Sequence, residues 1–317
     1  MANRRVALVG CGMVGMSYAY ALLNNDICNE LILIDVNKQK AIGEAMDLNH
    51  GLAFSNTHMK IHPGTYEDCK MADLVVITAS LGSRKPGQSR MDLLNDNVKL
   101  FKGFIPKIVA SGFNGVFLVA SNPVDIMTRV TYELSGFPAG RVVGSGTTLD
   151  TARLRFMLGE YFHADPHSVH GYVVGEHGDS EFVPYSQLYL STKHINEFFV
   201  EDRFKDDYKR EDVDQIIENV KNSGAEVIKA KGATYYGVGM ALVSITRAIF
   251  GDENRLMTVS SRLNGEYGLR DVYLGLPAFI NRNGVRMILP LDFTDEEIEK
   301  LKNSYNILKE SYDALDI

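Results

Sequence analysis

The chain has 317 residues, 45% of them hydrophobic and 23% charged, a globular composition long enough for two domains. Its formal net charge is −7, and no run of Lys or Arg exceeds two or three residues, which argues against nucleic acid or anionic membrane as partners. No apolar run approaches a membrane span, and the three cysteines (Cys11, Cys28, Cys69) are odd in number and lack metal-ligand spacing, which fits a reducing cytoplasm and no metal site.

Met1-Ala2-Asn3-Arg4-Arg5 leads straight into an apolar strand, Val6 to Val9, so a cleaved secretory leader is not expected. That strand meets Gly10, Gly12 and Gly15, and Met16 to Leu23 read as helix. A second strand, Leu31 to Ile34, ends on Asp35, which falls 20 residues beyond Gly15. Strand, glycine turn, helix, strand and terminal acid make up a dinucleotide-binding βαβ unit. Gly10 permits the tight turn, Gly12 lets backbone approach a pyrophosphate, and Gly15 lets helix pack on strand. The helix N-terminus offers unpaired N–H groups to the phosphates. Asp35 would accept from a ribose diol and repel a 2′-phosphate, which favours NAD over NADP. Cys11 reads as a small filler in this loop, since no histidine neighbours it in sequence.

A polar helix follows from Lys38 to Leu48, then a short strand near Met59 to Ile61. Leu74 to Thr78 is a β-branched run of the kind buried in parallel sheets. It delivers the chain into Ala79 to Arg90, a Gly- and Pro-containing loop with Arg84, Lys85 and Arg90, which reads as a mobile lid carrying charge. In the next helix Leu94, Val98, Phe101, Ile105 and Ile108 form a core-facing stripe, with Pro106 expected to kink it. The strand Gly115 to Ala120 ends in Ser121-Asn122-Pro123, holding Asn122 extended at the carboxyl edge where ligands bind in open α/β sheets. Arg141 to Gly144 is a further short strand. The alternation describes an α/β chain with a doubly wound parallel sheet (Rossmann), spanning residues 1–145, and a second α+β substrate domain at 146–317.

In the second half, Asp150 and Arg153 open a helix and project to one side. Twenty-seven residues after Asp150, His177 lies in Gly175-Glu176-His177-Gly178, at the end of a strand, where glycines leave the imidazole accessible. Helices are expected from Val213 to Lys231 and Ala233 to Phe250, and a strand pair from Asp271 to Ile280 and Val285 to Phe293. The last helix starts with a capping box, Thr294 and Glu297, and docks through Ile298, Leu301, Tyr305, Leu308 and Tyr312.

NAD beside a His–Asp pair and several arginines suggests reversible hydride transfer at an alcohol carbon. The hydride goes to NAD, and the proton needs a base that titrates near neutrality, for which histidine is usual. A carboxylate on its other nitrogen fixes the tautomer. One arginine can polarise a carbonyl and another can hold a carboxylate by a bidentate pair. A non-catalytic NAD-binding protein would have lost part of this set. An NAD-dependent glycosidase would need a metal-binding cysteine and histidine together, and Cys69 has no such neighbour.

Through Gly10-Cys11-Gly12-Met13-Val14-Gly15, Ser121-Asn122-Pro123-Val124-Asp125, Leu149-Asp150-Thr151-Ala152-Arg153 and Gly175-Glu176-His177-Gly178-Asp179-Ser180, the chain resembles the L-lactate/L-malate dehydrogenase family over essentially its whole length. The resemblance implies an NAD-dependent L-2-hydroxyacid dehydrogenase. In it, His177 exchanges the proton, Asp150 orients it, Arg153 binds the substrate carboxylate, and Arg90 polarises the carbonyl. Asn122 contacts substrate and nicotinamide, and Thr234 lines the pocket. Gly10, Gly12, Met13, Val14, Gly15, Asp35, Asn97 and Asn122 hold NAD. The resemblance also implies a homodimer or a homotetramer built from dimers. Arg155 and His170 match residues that bind fructose 1,6-bisphosphate at a subunit interface in allosteric bacterial members. Overall wording is similar to the bacterial lactate dehydrogenases, yet Arg84 and Gln88 give the lid malate-type character. The lid residue would touch the substrate's distal group, so malate/oxaloacetate is expected from Arg84, with L-lactate dehydrogenase as the alternative.

Overall fold

The computed structural model describes residues 4–82 and 90–315; the expected lid residues Arg84, Lys85 and Gln88, and the side chain of Arg90, lie outside the described residues. Among the described residues, six parallel strands stand in the order β3-β2-β1-β4-β5-β6: β1 (Arg5–Val9), β2 (Glu30–Ile34), β3 (Lys60–Pro63), β4 (Leu74–Ile77), β5 (Val116–Val119) and β6 (Val142–Gly144). All four residues of β4 and all four of β5 are buried, because helices cover both faces of the sheet and leave no face for polar residues. The covering helices of this half are α1 (Met13–Asn25), α2 (Lys38–Gly51), α3 (Arg90–Ala110) and α4 (Val124–Ser135). The strand order reverses between β1 and β4, so a crevice opens past their carboxyl ends. The α3 stripe is buried as expected, and α3 runs unbroken past Pro106 to Ala110.

The second half adds α5 (Thr148–Phe162), α6 (Arg210–Lys231), α7 (Tyr236–Gly251) and α8 (Asp295–Asp313). A three-stranded sheet of two-residue strands, β7 (Val169–His170), β8 (Tyr189–Leu190) and β9 (Lys193–His194), lies apart from the main sheet. The antiparallel strands β10 (Arg255–Asn264), β11 (Arg270–Asn281) and β12 (Gly284–Ile288) extend the parallel sheet to nine strands. The junction is a single rung, Ser260 against Gly144. Helices also cross the halves: Tyr18 Oη on α1 and Thr246 Oγ1 on α7 are 2.8 Å apart and fully buried.

Several expectations shift. β12 stops at Ile288, two residues before Pro290, and does not reach Phe293. α7 begins at Tyr236, not Ala233, because Gly232 ends α6 with a left-handed φ of 86°. His177 does not sit at the end of a strand: its segment makes only isolated bridges, Val174 to Phe182 and Gly175 to Gly275. The capping box of Thr294 and Glu297 is present in both directions, and Leu301 and Leu308 are buried.

Candidate active site

The crevice begins at Gly10, which holds a φ of 105° and donates its N–H to Ile34 O at 2.8 Å. A Cβ there would come within 2.7 Å of Ala79 N, and one on Gly15 would overlap the Gly10 carbonyl. Above Gly12, by contrast, the space is open. Gly12 caps α1 without a side-chain bond, which leaves the N–H groups of the first turn, at Met13 and Val14, to a ligand. Asp35 Oδ2 accepts from Cys11 N and its Oδ1 from Asn37 N, each at 2.8 Å, so the acid is oriented by backbone beside the glycine loop. Burial, and then the Asp35 carboxylate, push the buried Cys11 thiol up to about 12, which suits a filler and not a nucleophile. Asn97 is buried on α3 and its Oδ1 accepts from Leu81 N at 3.0 Å, fixing the backbone that leaves β4. Open backbone, free helix N–H groups and an oriented acid fit a dinucleotide with an unphosphorylated ribose.

Across the crevice, α5 places Asp150 in its first turn, 2% exposed. Asp150 Oδ2 meets His177 Nδ1 at 2.7 Å, and its Oδ1 takes Arg153 Nη1 at 2.8 Å. One buried carboxylate therefore serves an imidazole and a guanidinium. Burial opposes the charge of Asp150, but the His177 hydrogen bond and the charges of His177 and Arg153 hold its carboxyl below the ordinary range. Burial also opposes the charge of His177, yet the bond to Asp150 and its negative charge raise the imidazole to about 9. Some 29% of the His177 side chain remains exposed, the opening a substrate would use.

Asn122 is exposed at the end of β5, and its bond to Pro123 is cis. Thr234 follows the Gly232 turn, and its hydroxyl is buried with no hydrogen-bond partner among the described residues. Two groups were given no role by the sequence. Asp125, in the first turn of α4, accepts the His177 backbone N–H at 2.8 Å. Glu181 is 4% exposed, with Oε2 3.9 Å from His177 Nδ1. The spacing of four from His177 was a visible signal for Glu181, while Asp125, 52 residues upstream of the histidine, stood in the Ser121 to Asp125 motif without a role.

Arg155 lines a separate cavity of about 240 Å³ with His167, Tyr172 and Arg255, and its Nε donates to Gly171 O at 3.2 Å. His170 is exposed on β7 and is not among that cavity's lining residues.

A dinucleotide crevice facing a histidine–aspartate pair defines an NAD-dependent oxidoreductase acting on the CH–OH group of a 2-hydroxy acid. The family model for the lactate/malate dehydrogenase NAD-binding domain matches residues 4–144, and that for the α/β C-terminal domain matches 147–315. The chain belongs to the lactate/malate dehydrogenase family. It is 50% identical over 306 residues to an L-lactate dehydrogenase of Bacillus pumilus, covering 96% of each chain. It is also 50% identical over 307 residues to L-lactate dehydrogenase 1 of Bacillus cereus, covering 97% of this chain and 96% of the relative. The crystal structure of minor L-lactate dehydrogenase from Enterococcus mundtii with ligands bound superposes with a TM-score of 0.96 at 44% identity, covering 100% of both chains. A lactate dehydrogenase from a deep-sea metagenome library gives a TM-score of 0.95 at 48% identity, covering 99% of each. These likenesses favour the lactate alternative over the malate preference expected from Arg84.

Proposed function

We propose that the protein is an L-lactate dehydrogenase, interconverting pyruvate and L-lactate with NADH and NAD. The observation that carries this reading is the shared carboxylate of Asp150, with the names of the 50%-identical relatives supporting pyruvate as substrate. NADH, when bound in the crevice, would supply the hydride for the carbonyl carbon. With Nδ1 held by Asp150, the proton His177 gives to the carbonyl oxygen is the one on Nε2, and the same nitrogen takes it back from lactate. Asp150 stabilises the imidazolium that waits for substrate. Arg153 spends Nη1 on Asp150 and keeps further donors for the pyruvate carboxylate. Arg90 polarises the carbonyl, Asn122 contacts substrate and nicotinamide, and the unpartnered Thr234 hydroxyl lines the pocket. Gly10, Gly12, Met13, Val14, Gly15, Asp35 and Asn97 hold the dinucleotide.

We also propose a division of the two domains at residue 145, a cytoplasmic location, and assembly as a dimer or a tetramer of dimers. Free buried cysteines support the location, and no helix among the described residues is long and apolar enough to cross a membrane. Fructose 1,6-bisphosphate is proposed as an effector bound by Arg155 and His170 across a subunit interface. Following NADH absorbance with pyruvate and oxaloacetate side by side tests the reading. Pyruvate is expected to show the higher kcat/KM, and a tenfold preference for oxaloacetate would overturn it.

A further inference from the structure

Two carboxyls face one edge of one imidazole. Val174 N donates to Phe182 O at 2.9 Å and Phe182 N to Val174 O at 3.0 Å, closing residues 175–181 into a loop with fixed ends. That closure carries Glu181 Oε2 to 3.9 Å from His177 Nδ1, the nitrogen already bonded to Asp150. Only 5% of the Glu181 side chain is exposed, so its charge is poorly screened and acts on the imidazole nearly undiluted. Asp150 accounts for the tautomer and orientation of His177. A second buried acid adds nothing to either and costs desolvation.

The charged groups facing the His177–Glu181 pair come from several elements: Asp150 and Arg153 on α5, Lys221 on α6 beside Glu181 and Asp125 on α4 beside His177, with Glu176 and Asp179 on the same loop. Glu181 also lines a cleft of about 530 Å³ between α6 and α8, where Asp214, Glu218, Glu296, Glu299 and Lys300 stand. With Glu181 ionised, the charges of His177, Asp150, Arg153 and Glu181 cancel. With it protonated, those four carry one positive charge, which Asp125, raised to about 6 by burial, offsets once it ionises.

We propose that Glu181 is a positioning residue for His177: its own protonation sets the pH range over which the imidazole keeps the proton that reduction consumes. This rests on the role given to His177 above. Burial, and then the Asp150 carboxylate, raise Glu181 to about 8, against His177, Arg153 and Lys221, so it ionises just below the range in which His177 deprotonates. As pH rises, the new negative charge appears beside the imidazolium and holds its proton to higher pH.

The test is an NMR titration of the His177 ring, assigned with His177→Gln, in wild type and in Glu181→Gln and Glu181→Met. Gln keeps the shape and Met suits the apolar burial, so the test survives misfolding of either one. The His177 midpoint and the alkaline limb of kcat/KM for pyruvate are expected to fall by about half a unit to one unit in each folded variant. A midpoint within about 0.2 unit of wild type in a folded variant overturns the proposal. So does a wild-type titration with one ordinary inflection, since a neighbour titrating in the same range must leave a second. The NMR arm needs no turnover. Absence of pyruvate reduction would therefore count against the enzymatic reading and leave the Glu181 result standing.

Discussion

The carboxylate of Asp35 accepts the backbone N–H of Cys11 at 2.8 Å, so the acid that ends β2 is tied to the loop that ends β1. Cofactor choice and loop shape therefore depend on one side chain. Asp35→Ser is expected to narrow the preference for NADH over NADPH at least tenfold, about 1.4 kcal/mol, as read from the ratio of kcat/KM values. It should also weaken NADH binding, because Cys11 N loses its acceptor. An unchanged ratio would remove Asp35 from cofactor discrimination.

Asp150→Asn keeps the shape of the side chain and removes the charge that His177 and Arg153 share. Turnover is expected to fall by about three to four orders of magnitude while NADH affinity, measured by fluorescence titration, stays within about threefold. Near-normal turnover in this variant, or in His177→Ala, would place the proton transfer elsewhere.

Stability should fall as pH rises through neutrality. His177 titrates near 9 in the folded protein against 6.5 in an unfolded chain, and Glu181 near 8 against 4.5. Each group is raised, so between those values the folded state binds protons that the unfolded state has released, and each increment of pH costs stability. The loss attributable to His177 between about pH 6.5 and 9 is on the order of 1–2 kcal/mol. Thermal melting across that window should show the slope, and His177→Gln should reduce it to the part that Glu181 contributes. Rising stability over the same range would contradict the assignment.

Arg84 lies outside the described residues, and its proposed place is above the distal end of the substrate, a methyl group in pyruvate. A guanidinium favours a distal carboxylate, so Arg84→Gln should widen the preference for pyruvate over oxaloacetate by about tenfold or more. A ratio that does not move would show that the side chain plays no part in choosing the substrate.

Fructose 1,6-bisphosphate should lower the KM for pyruvate or favour tetramers in sedimentation, and Arg155→Gln should abolish either effect. No response at millimolar effector would rule out the Arg155–His170 site.

The parallel half was legible because its signals are local. Continuous apolar runs such as Leu74 to Ile77, glycines at fixed offsets and a terminal acid announce themselves within 30 residues. β10 was not legible. No element is expected there from the sequence, yet its Thr258, Ser260 and Ser261 are at most 2% exposed. Thr258 is tied in because its Oγ1 pairs with Thr151 Oγ1 at 2.8 Å and its O accepts from Thr148 Oγ1 at 2.9 Å. These partners lie more than 100 residues away in sequence. The site divides the same way. His177, Asp150 and Arg153 stand in short motifs, whereas the Asp125 bond to the His177 backbone exists only once α4 and the 175–181 loop have met.

The single rung between Ser260 and Gly144 has a consequence for dissection of the molecule. β6 is the last parallel strand, and in the intact chain β10 lies alongside it. A fragment stopping at residue 144 would keep the glycine loop and the pairing of β6 with β5, and would leave the outer edge of β6 uncovered. Such an edge recruits further strands from solution, so the isolated dinucleotide half is expected to self-associate as it is concentrated. Sedimentation of the fragment over a range of concentrations should show this, and a monomer at every concentration would contradict it.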